Sequence, residues 1–351
     1  MANSRIEYNT SEDIVDDTQQ VITSTWTSNV NELQGTHTSS TQADFTSATS
    51  KGAFFIDVYN ETTSSTNAAV QYSVAYGHKT GLGSKLFAQS DIAANSPSKV
   101  IYNQYRQLVF GDENKNFDFG NHTGNVVSDS YIPDDIYVIN VNRSRYKNNL
   151  KPGSLNITLS GSGLDTLKLT DDSVTNTGSA VPTNAGRQFH IVSGSSGVRS
   201  GSSTVQVTDS GSYGLYYPDS GFIVLNPAAI DHSLTSLTPG ITSDNADNNH
   251  QKLITAISGG NSFILDSEEK ISSKYYFTRI KNSQFNFTTN PSFIDDDGNL
   301  RFSTMENNPK VYITTVGLYS DSNELVAVAK LSQPIAKDFS KEALIRVKLD
   351  Y

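Results

Sequence analysis

The sequence contains no cysteine among its 351 residues. This absence excludes disulfide bonds, metal sites built from thiolates, and cysteine nucleophiles. Long apolar runs are missing as well. The N-terminal stretch MANSRIEYNTSEDIVDD has no apolar segment of the kind found in signal peptides, and no run elsewhere is long enough to span a bilayer. We therefore expect a chain that is made and folded in the cytoplasm and has no membrane anchor.

Positive charge is also scarce, because 26 Lys and Arg residues face 36 Asp and Glu residues, which gives a net charge of −10. An acidic surface repels phosphate backbones, so the composition predicts no nucleic-acid partner. A local exception is the basic segment that contains Arg143, Arg145 and Lys147. It has two interpretations: a phosphate-binding patch, or a solvated and salt-bridged surface segment, which is the commoner situation for clustered charges.

Apolar residues make up 36% of the chain, a low share for a folded protein, while Ser, Thr, Asn and Gly are abundant. Disordered chains of low hydrophobicity are usually poor in aromatic and β-branched residues. This chain is rich in both, with 17 Tyr and 16 Phe. The composition therefore predicts a mainly β fold, with β-sandwich-like domains, long loops and one or two short helices. Small cores of this kind often gain stability from partners.

Composition shifts along the chain predict four regions. A polar N-terminal arm covers residues 1–50, and a β-rich domain with one helix covers 51–159. A loop-rich β domain, interpreted as an insertion, covers 160–273, and the C-terminal β region, 274–351, is expected to pack with 51–159. The arm contains the only tryptophan, Trp26, which either anchors the arm on a neighbouring subunit or covers the chain's own core.

Two helices are predicted. The first begins after Ser96, which can cap it, with Pro97 at its first position, and it ends at Gly111. The second covers residues 245–258, and the glycine pair that follows is interpreted as its stop. Four apolar residues of the first helix fall on one face by their spacing: Ile101, Tyr105, Leu108 and Val109.

The clearest pattern lies near the C-terminus. Two β-rich runs, residues 311–319 and 325–331, flank the polar link SDSNE, and this arrangement predicts a β-hairpin. A third run, residues 343–349, stops just short of Tyr351, the last residue. We therefore expect the C-terminus to be built into a sheet rather than left as a frayed tail.

Motifs of catalysis and of cofactor binding are missing. The six histidines never pair at the i, i+4 spacing of a helical zinc site. The segment GHKTGLGSK (77–85) lacks the spacing of a phosphate-binding loop, and DDDG (295–298) lacks the ligand positions of an EF-hand. Acidic residues are numerous enough to supply the carboxylate pair of a glycosidase, but no pattern selects one. The sequence therefore predicts no enzyme, no catalytic residue, no cofactor and no metal site.

Several segments carry a family resemblance. The principal ones are YYFTRIKN (275–282), FNFTTNP (285–291), YITTVGLY (312–319), LVAVAKLS (325–332) and IRVKL (345–349). They resemble the C-terminal ends of virion structural proteins, of the tail or baseplate type, from T-even-like contractile-tailed bacteriophages, including those that infect cyanobacteria. Weaker similarities lie upstream, at YGHK (76–79), IYNQYR (101–106), RSRYK (143–147) and YPD (217–219).

The resemblance implies a class of protein rather than a position in the particle. The expected role is a structural component of the virion, in the tail or baseplate, that is synthesised in the host cytoplasm and acts through protein–protein interfaces. Its partners would be other virion proteins, and several copies would form a symmetric assembly. Alternatives are a neck, collar or vertex protein of the same virion, and, in another class, a carbohydrate-binding fibre tip or depolymerase.

Aromatic residues are the candidates for contacts with neighbouring subunits, because aromatic side chains dominate the energetics of protein interfaces. The positions selected are Trp26, Tyr216, Tyr217, Phe339 and Tyr351. The alternative for each of them is a place in the core of its own chain.

Overall fold

The computed structural model describes residues 5–35, 37–38, 55–84, 96–120, 122–123, 126–127, 130–161, 166–175, 180–200, 211–231, 234, 237–241 and 249–351. The chain divides into two compact units. The central unit consists of Val21–Glu269, and the C-terminal unit combines Met1–Gln20 with Lys270–Tyr351. Among the described residues, strands account for 44% and helices for 15%, so the predicted fold class, mainly β, is confirmed.

The described residues form many short strands and three short helices, one helix more than the upper number predicted. The strands are β1 (Ile14–Ser24), β2 (Glu32–Leu33), β3 (His37–Thr38), β4 (Phe55–Tyr59), β5 (Val70–His78), β6 (His122–Thr123), β7 (Val126–Val127), β8 (Asp135–Val141), β9 (Asn149–Leu150), β10 (Asn156–Ser160), β11 (Thr166–Asp171), β12 (Val181–Thr183), β13 (Gly186–Ser195), β14 (Val198–Arg199), β15 (Gly214–Tyr217), β16 (Phe222–Leu225), β17 (Ser262–Ile264), β18 (Asp266–Ile280), β19 (Val311–Tyr319), β20 (Leu325–Lys337) and β21 (Ala343–Asp350). The helices are α1 (Pro97–Phe110), α2 (Pro227–Asp231) and α3 (Asn249–Gly260).

A 13-stranded antiparallel sheet organises the central unit. Its strands follow the order β2-β17-β10-β11-β13-β15-β16-β8-β5-β4-β3, with β12 and β14 attached to β13. Consecutive strands form hairpins at β4–β5, β10–β11 and β15–β16. Strand β8 joins the two halves, because Ile139 lies opposite Val74 of β5 and also opposite Ile223 of β16.

At its central strands, β5, β8, β15 and β16, both faces of this sheet are buried, which explains why these strands are nearly continuously apolar. Successive residues of one strand enter different cores: Ile139 and Tyr216 pack on one face, and Val138 and Tyr217 pack on the other. Helix α3 covers the first face and helix α1 covers the second. The central unit is therefore layered as helix, sheet and helix around β5 and β8.

Helix α1 runs from Pro97 to Phe110 and is followed by Gly111, as the sequence predicted. Ser96 does not cap the helix; its hydroxyl donates to the carbonyl of Gly81 at 2.5 Å instead. The predicted buried face is correct except for Leu108, which is 45% exposed. Tyr102 is buried instead, because the face of the helix that packs on the sheet includes Tyr102 and not Leu108.

Helix α3 includes the glycine pair that the sequence interpreted as a stop. A Cβ atom at Gly260 would lie 1.8 Å from the carbonyl oxygen of Thr158, so Gly260 is required where the helix end approaches β10. The chain leaves the helix one residue later, at Asn261, which has a left-handed φ of 51°. The first residues of the predicted helix, 245–248, lie outside the described residues.

The C-terminal unit contains a sheet and a hairpin. Strand β18 pairs antiparallel with β21, from Ser273–Asp350 to Ile280–Ala343, and β1 lies on the other side of β18. Strands β19 and β20 form a separate two-stranded sheet. The unit has a small core of buried apolar residues, Ile280, Leu318, Ile345 and Val347, surrounded by half-buried side chains.

The predicted C-terminal pattern is confirmed in detail. Strand β19 has the predicted bounds, and β20 continues six residues beyond the predicted run, to Lys337. Strand β21 covers the third run. The last residue is held in the sheet, since the Tyr351 amide donates to Ser272 O at 3.0 Å and the Ser272 amide donates to Tyr351 O at 3.2 Å.

The predicted regions differ from the observed units. Residues 51–159 and 160–269 contribute to a single sheet, because β10 and β11 pair across the predicted boundary, with Asn156 opposite Thr170. The boundary predicted at 160 therefore lies within one unit. Nearly half of the described residues of the predicted arm lie in strands β1, β2 and β3, and Leu33 of β2 pairs with Phe263 of β17. Packing of 274–351 with 51–159 stays a prediction.

Candidate functional site

The hairpin of the C-terminal unit exposes a group of large apolar side chains, here called the hairpin face: Tyr319, Leu325, Val326 and Val328. Their exposed fractions range from 50% to 68%. The opposite side of the same hairpin carries Leu318, Val316, Ala327 and Ala329 into the core. Both sides of this two-stranded sheet are therefore apolar, and the unit covers only one of them.

The sequence of β20 explains this arrangement. Residues 325–329 read LVAVA, so apolar residues occupy both alternating sets of positions. Ala327 pairs with Leu318 on the core side, and Val328 pairs with Gly317 on the outer side. A β-bulge follows, because Tyr319 pairs with Leu325 and leaves Val326 as the extra residue. The bulge brings Leu325 beside Tyr319 on the exposed side.

Gly317 keeps the centre of the hairpin face flat. A Cβ atom at this position would lie 3.1 Å from Cε2 of Tyr319 and 3.3 Å from Cδ1 of Leu325. The tyrosine ring and the leucine side chain thus extend across the strand over Gly317 and form one continuous surface. Continuous exposed apolar patches of this kind mark interaction sites more often than scattered apolar residues do.

An arginine from the N-terminal segment of the same unit supports the hairpin face. The guanidinium of Arg5 lies 4.6 Å from the ring centroid of Tyr319, in a cation–π contact. The same side chain donates a hydrogen bond to the side chain of Asn323 in the hairpin turn. These contacts hold the ring of Tyr319 in place and leave half of its surface exposed.

Strand β21 is an edge of its sheet among the described residues. Its outward side chains include Arg346 and Lys348, whose charged groups lie 5.3 Å and 5.9 Å from the ring centroid of Tyr275 on the neighbouring strand. Lys348 also forms a salt bridge with Asp350. Charged residues on an edge strand discourage unspecific pairing with other strands. The hairpin face is therefore the better candidate for an apolar contact.

Two of the five predicted contact residues are accessible. Phe339 is 50% exposed and Tyr351 is 70% exposed, and both belong to the C-terminal unit. Their positions are compatible with the predicted role.

The other three predicted contact residues lie in the core of the central unit, so their assignment is corrected. Trp26 is 3% exposed, donates from Nε1 to Phe263 O at 2.7 Å, and contacts the Phe263 ring edge-on at 4.8 Å between centroids. Tyr216 and Tyr217 are fully buried on opposite faces of the sheet. Tyr217 stacks on Phe222 at 4.6 Å. An aromatic side chain in a strand buried on both faces has no surface left for a partner.

The basic segment is engaged within its own unit. Lys147 forms a salt bridge with Glu269 at 2.7 Å, and the guanidinium of Arg143 lies 4.6 Å from the ring centroid of Tyr146. Arg145 donates to the hydroxyl of Thr27. These contacts fit a salt-bridged surface segment rather than a free phosphate-binding patch.

A groove in the central unit is a second candidate site. It has a volume of about 300 Å³ and lies between α1 and strands β4, β5 and β8. Its apolar lining is Phe55, Ala75, Val100, Ile101, Tyr105 and Val138, and its polar lining is Ser73, Gln104 and Asn140. Phe55 is exposed, and the Ser73 hydroxyl donates to Asp57 Oδ1 at 2.6 Å. None of the described lining residues is charged, so this groove suits a neutral ligand with an apolar face.

Titratable groups gather at one end of the β5–β8 pair. Tyr76 and Tyr137 pack edge to face, and the Tyr76 hydroxyl lies 3.2 Å from Asp135 Oδ2, to which it donates. Burial raises the pKa of Asp135 to about 6 and also raises the pKa of Tyr76, while it lowers the pKa of His78. Loss of hydration is the first cause in all three cases, which is the pattern of core residues rather than of a charge-coupled catalytic pair.

Within the described residues, no three His, Asp or Glu side chains are grouped as metal ligands would be. In that same part of the chain, no helix has both the length and the apolar character needed to cross a bilayer. The chain matches no protein-family model, no curated protein and no solved structure. The resemblance to phage tail proteins therefore rests on the sequence segments themselves.

Proposed function

We propose that this protein is a structural component of a contractile-tailed phage virion, located in the tail or baseplate, and that its C-terminal unit binds a neighbouring virion protein. The observation that carries the proposal is the hairpin face, since an assembly protein needs an apolar surface that its own chain leaves uncovered. The segments with the phage resemblance include both strands of this hairpin.

The distribution of apolar surface supports a contact role for the C-terminal unit. Half of the large apolar side chains that are exposed among the described residues belong to this unit, which contains about a third of the described residues. Its core is small, and a hairpin with one uncovered face gains stability when a partner covers that face. Binding would proceed by apolar docking of the hairpin face, with the polar residues around it forming the rim.

The experiment that tests the proposal is immunogold labelling of negatively stained phage particles with an antibody against this chain. Label at the tail tip is the expected result and supports the baseplate position. Label at the neck or head vertex would move the protein to one of the alternative positions and retain its structural role. Absence of label, together with absence of the chain from purified virions by mass spectrometry, would refute the proposal.

A second candidate function, carbohydrate binding by a fibre tip, is favoured by the groove beside α1. Exposed Phe55 offers a ring on which a sugar can stack, while Gln104 and Asn140 offer amide groups for its hydroxyls. The described lining provides no carboxylate, so the groove lacks the acid–base pair that a depolymerase requires.

Glycan-array binding by the purified chain tests this second candidate. Binding that is lost in Phe55→Ala and retained in Phe302→Ala, an exposed phenylalanine of the other unit, would favour the fibre tip. Clearing of host capsule by the purified chain would contradict a purely structural role.

A further inference from the structure

Lys337, at the end of β20, is completely buried. Its Nζ donates to three oxygen atoms: Asn282 O at 2.8 Å, Asn286 Oδ1 at 2.9 Å and Asp338 O at 3.0 Å. No ion pair among the described residues includes Lys337. A buried lysine with amide oxygens as its neighbours is unusual, because buried ammonium groups are normally paired with a carboxylate.

The orientation of the Asn286 side chain is fixed by its two contacts. A lysine only donates hydrogen bonds, so the atom that faces Nζ must be the amide oxygen. The amide nitrogen, Nδ2, donates to Asn282 O at 2.7 Å, the same carbonyl that accepts from Lys337. Asn286 is itself buried, with 7% of its surface exposed. The carboxamide carbon therefore lies directly behind the oxygen that the lysine amine touches, and water has little access to it.

Nζ donates three hydrogen bonds, as an ammonium group does, and burial raises the share of the neutral, nucleophilic amine. Burial lowers the pKa of Lys337, and the carboxylates of Asp338 and Glu342 oppose this shift without reversing it. The Asp338 carboxylate is occupied elsewhere: it accepts from the Ser340 amide at 2.9 Å and from the Ser340 hydroxyl at 2.6 Å.

We propose that Lys337 and Asn286 join in an intramolecular isopeptide bond. Nζ first releases one proton to become a neutral amine and then attacks Cγ of Asn286. The Nζ–Cγ bond forms, the Cγ–Nδ2 bond breaks, and the leaving ammonia takes up the released proton. Two of the three ammonium protons leave with the amide nitrogen as NH4+, so atoms and charge balance without an oxidant, a reductant or a cofactor. The product is an ordinary amide, and its burial protects it from hydrolysis.

A chain without cysteine cannot form disulfide bonds, and this unit has a small core. The isopeptide bond would give the unit a covalent crosslink of another kind. It would connect the segment that follows β18 to the end of β20 and close a loop that contains β19. Constraining the unfolded chain in this way stabilises the folded unit, as a disulfide does. This inference is independent of the proposed function, because the bond forms within one chain.

Intact mass spectrometry of the full-length, denatured chain tests the proposal. We expect a mass lower than the sequence mass by one ammonia. Trypsin should then fail to cleave after Lys337 and should release a branched product in which residues 282–301 are joined to residues 331–341. Fragmentation of that product should place the branch at Asn286 and Lys337.

Variants assign the mass change to this pair. Lys337→Met and Asn286→Ala should restore the full sequence mass, whereas the exposed control Lys341→Met should retain the deficit. A full sequence mass in the unmodified chain would overturn the proposal and leave Lys337 as an ammonium held by hydrogen bonds only. A deficit that persists in Lys337→Met would also overturn it, by placing the loss of ammonia at another residue.

Discussion

His190 illustrates how one half-buried side chain makes stability depend on pH. Burial lowers the pKa of His190 to about 4, against an ordinary value of 6.5, and Asp118 opposes this shift. The folded state therefore resists protonation, and stability falls as pH drops from 6.5 toward 4. We expect a loss of about 2–3 kcal/mol across this range. His190 Nδ1 lies 3.0 Å from the Ser212 hydroxyl, and His190→Asn retains a polar partner for that hydroxyl. In this variant, the loss of stability between pH 6.5 and 4 should disappear.

The measurement is urea unfolding of both chains at a series of pH values between 4 and 8. The difference between wild type and variant at pH 8 gives the cost of the substitution itself. Parallel profiles for the two chains would show that His190 does not titrate in this way.

Asp135 has the opposite effect on the pH dependence of stability, because it makes the folded state less stable as pH rises. Its pKa is raised from 3.8 to about 6, so the folded state favours the protonated carboxyl, and the cost of ionising it grows as pH rises from about 4 to 6. Asp135→Asn should raise stability at pH 8 by about 2 kcal/mol and give no gain at pH 3.5. The Tyr76 hydroxyl retains an acceptor in this variant. Unfolding at these two pH values checks the prediction, which an equal gain at both would contradict.

Single residues were the hardest feature to predict from the sequence. Trp26 and Tyr217 were selected because aromatic residues are frequent at interfaces. An aromatic side chain is equally well suited to a protein core, however. The pairing of the strands places Tyr217 in the middle of the sheet, where both faces are covered, and this pairing is not visible in the sequence. Val326 and Val328 were missed. The run LVAVA could have indicated them. Side chains alternate between the two faces of a strand, so a strand that is apolar at every position exposes apolar side chains on one face unless both faces are covered.

At the scale of elements, the hairpin face should be separable from the fold of the C-terminal unit. Val326 and Val328 point away from the core, so Val326→Lys with Val328→Lys should leave thermal stability nearly unchanged while it abolishes incorporation into virions. The matched control is Val181→Lys, on an exposed strand of the central unit. Incorporation is measured by mass spectrometry of purified particles after complementation. Normal incorporation of the double variant would exclude the hairpin face as the contact.

The end of helix α3 lies very close to β10, at the contact between Gly260 and the Thr158 carbonyl oxygen. Gly260→Ala places a methyl group where the Thr158 carbonyl oxygen lies, so we expect a loss of about 2–4 kcal/mol of stability, comparable to severe overpacking. Gly259→Ala is the control, because its nearest neighbour, Ser160 Cβ, is 3.2 Å away and the helix gains an alanine. Thermal unfolding of the two variants compares them. Equal melting temperatures would mean that the helix end moves away from β10 at little cost.

Elements were predicted well where the pattern is local. The bounds of α1, β19 and β21 follow from capping residues, apolar spacing and turn residues that lie next to each other in the sequence. Domain boundaries were not predictable in this way, because they depend on which strands pair. Asn156 and Thr170 pair across the expected boundary at 160, and no local signal distinguishes such a hairpin from two separate edges.

For the whole molecule, the division into two compact units predicts two unfolding transitions. The C-terminal unit has the smaller core and should unfold first. Ile345→Ala should lower the first transition and leave the second unchanged, whereas Ile139→Ala should lower the second, each by the equivalent of about 2–5 kcal/mol. Differential scanning calorimetry resolves the two. A single transition that both variants shift together would show that the units unfold as one.

The C-terminal unit is built from residues that are far apart in the chain. The amide of Phe277 donates to Asp13 O at 2.8 Å, and β21 pairs with β18 from the far end of the sequence shown. At a synthesis rate of roughly 5–20 residues per second, the N-terminal segment waits on the order of tens of seconds for its partner strands. Because Arg5 contacts Tyr319 across most of the chain, the hairpin face forms only after the ribosome has passed Val328. Translation therefore supplies every residue of the central unit, Val21–Glu269, before it supplies those of the hairpin face.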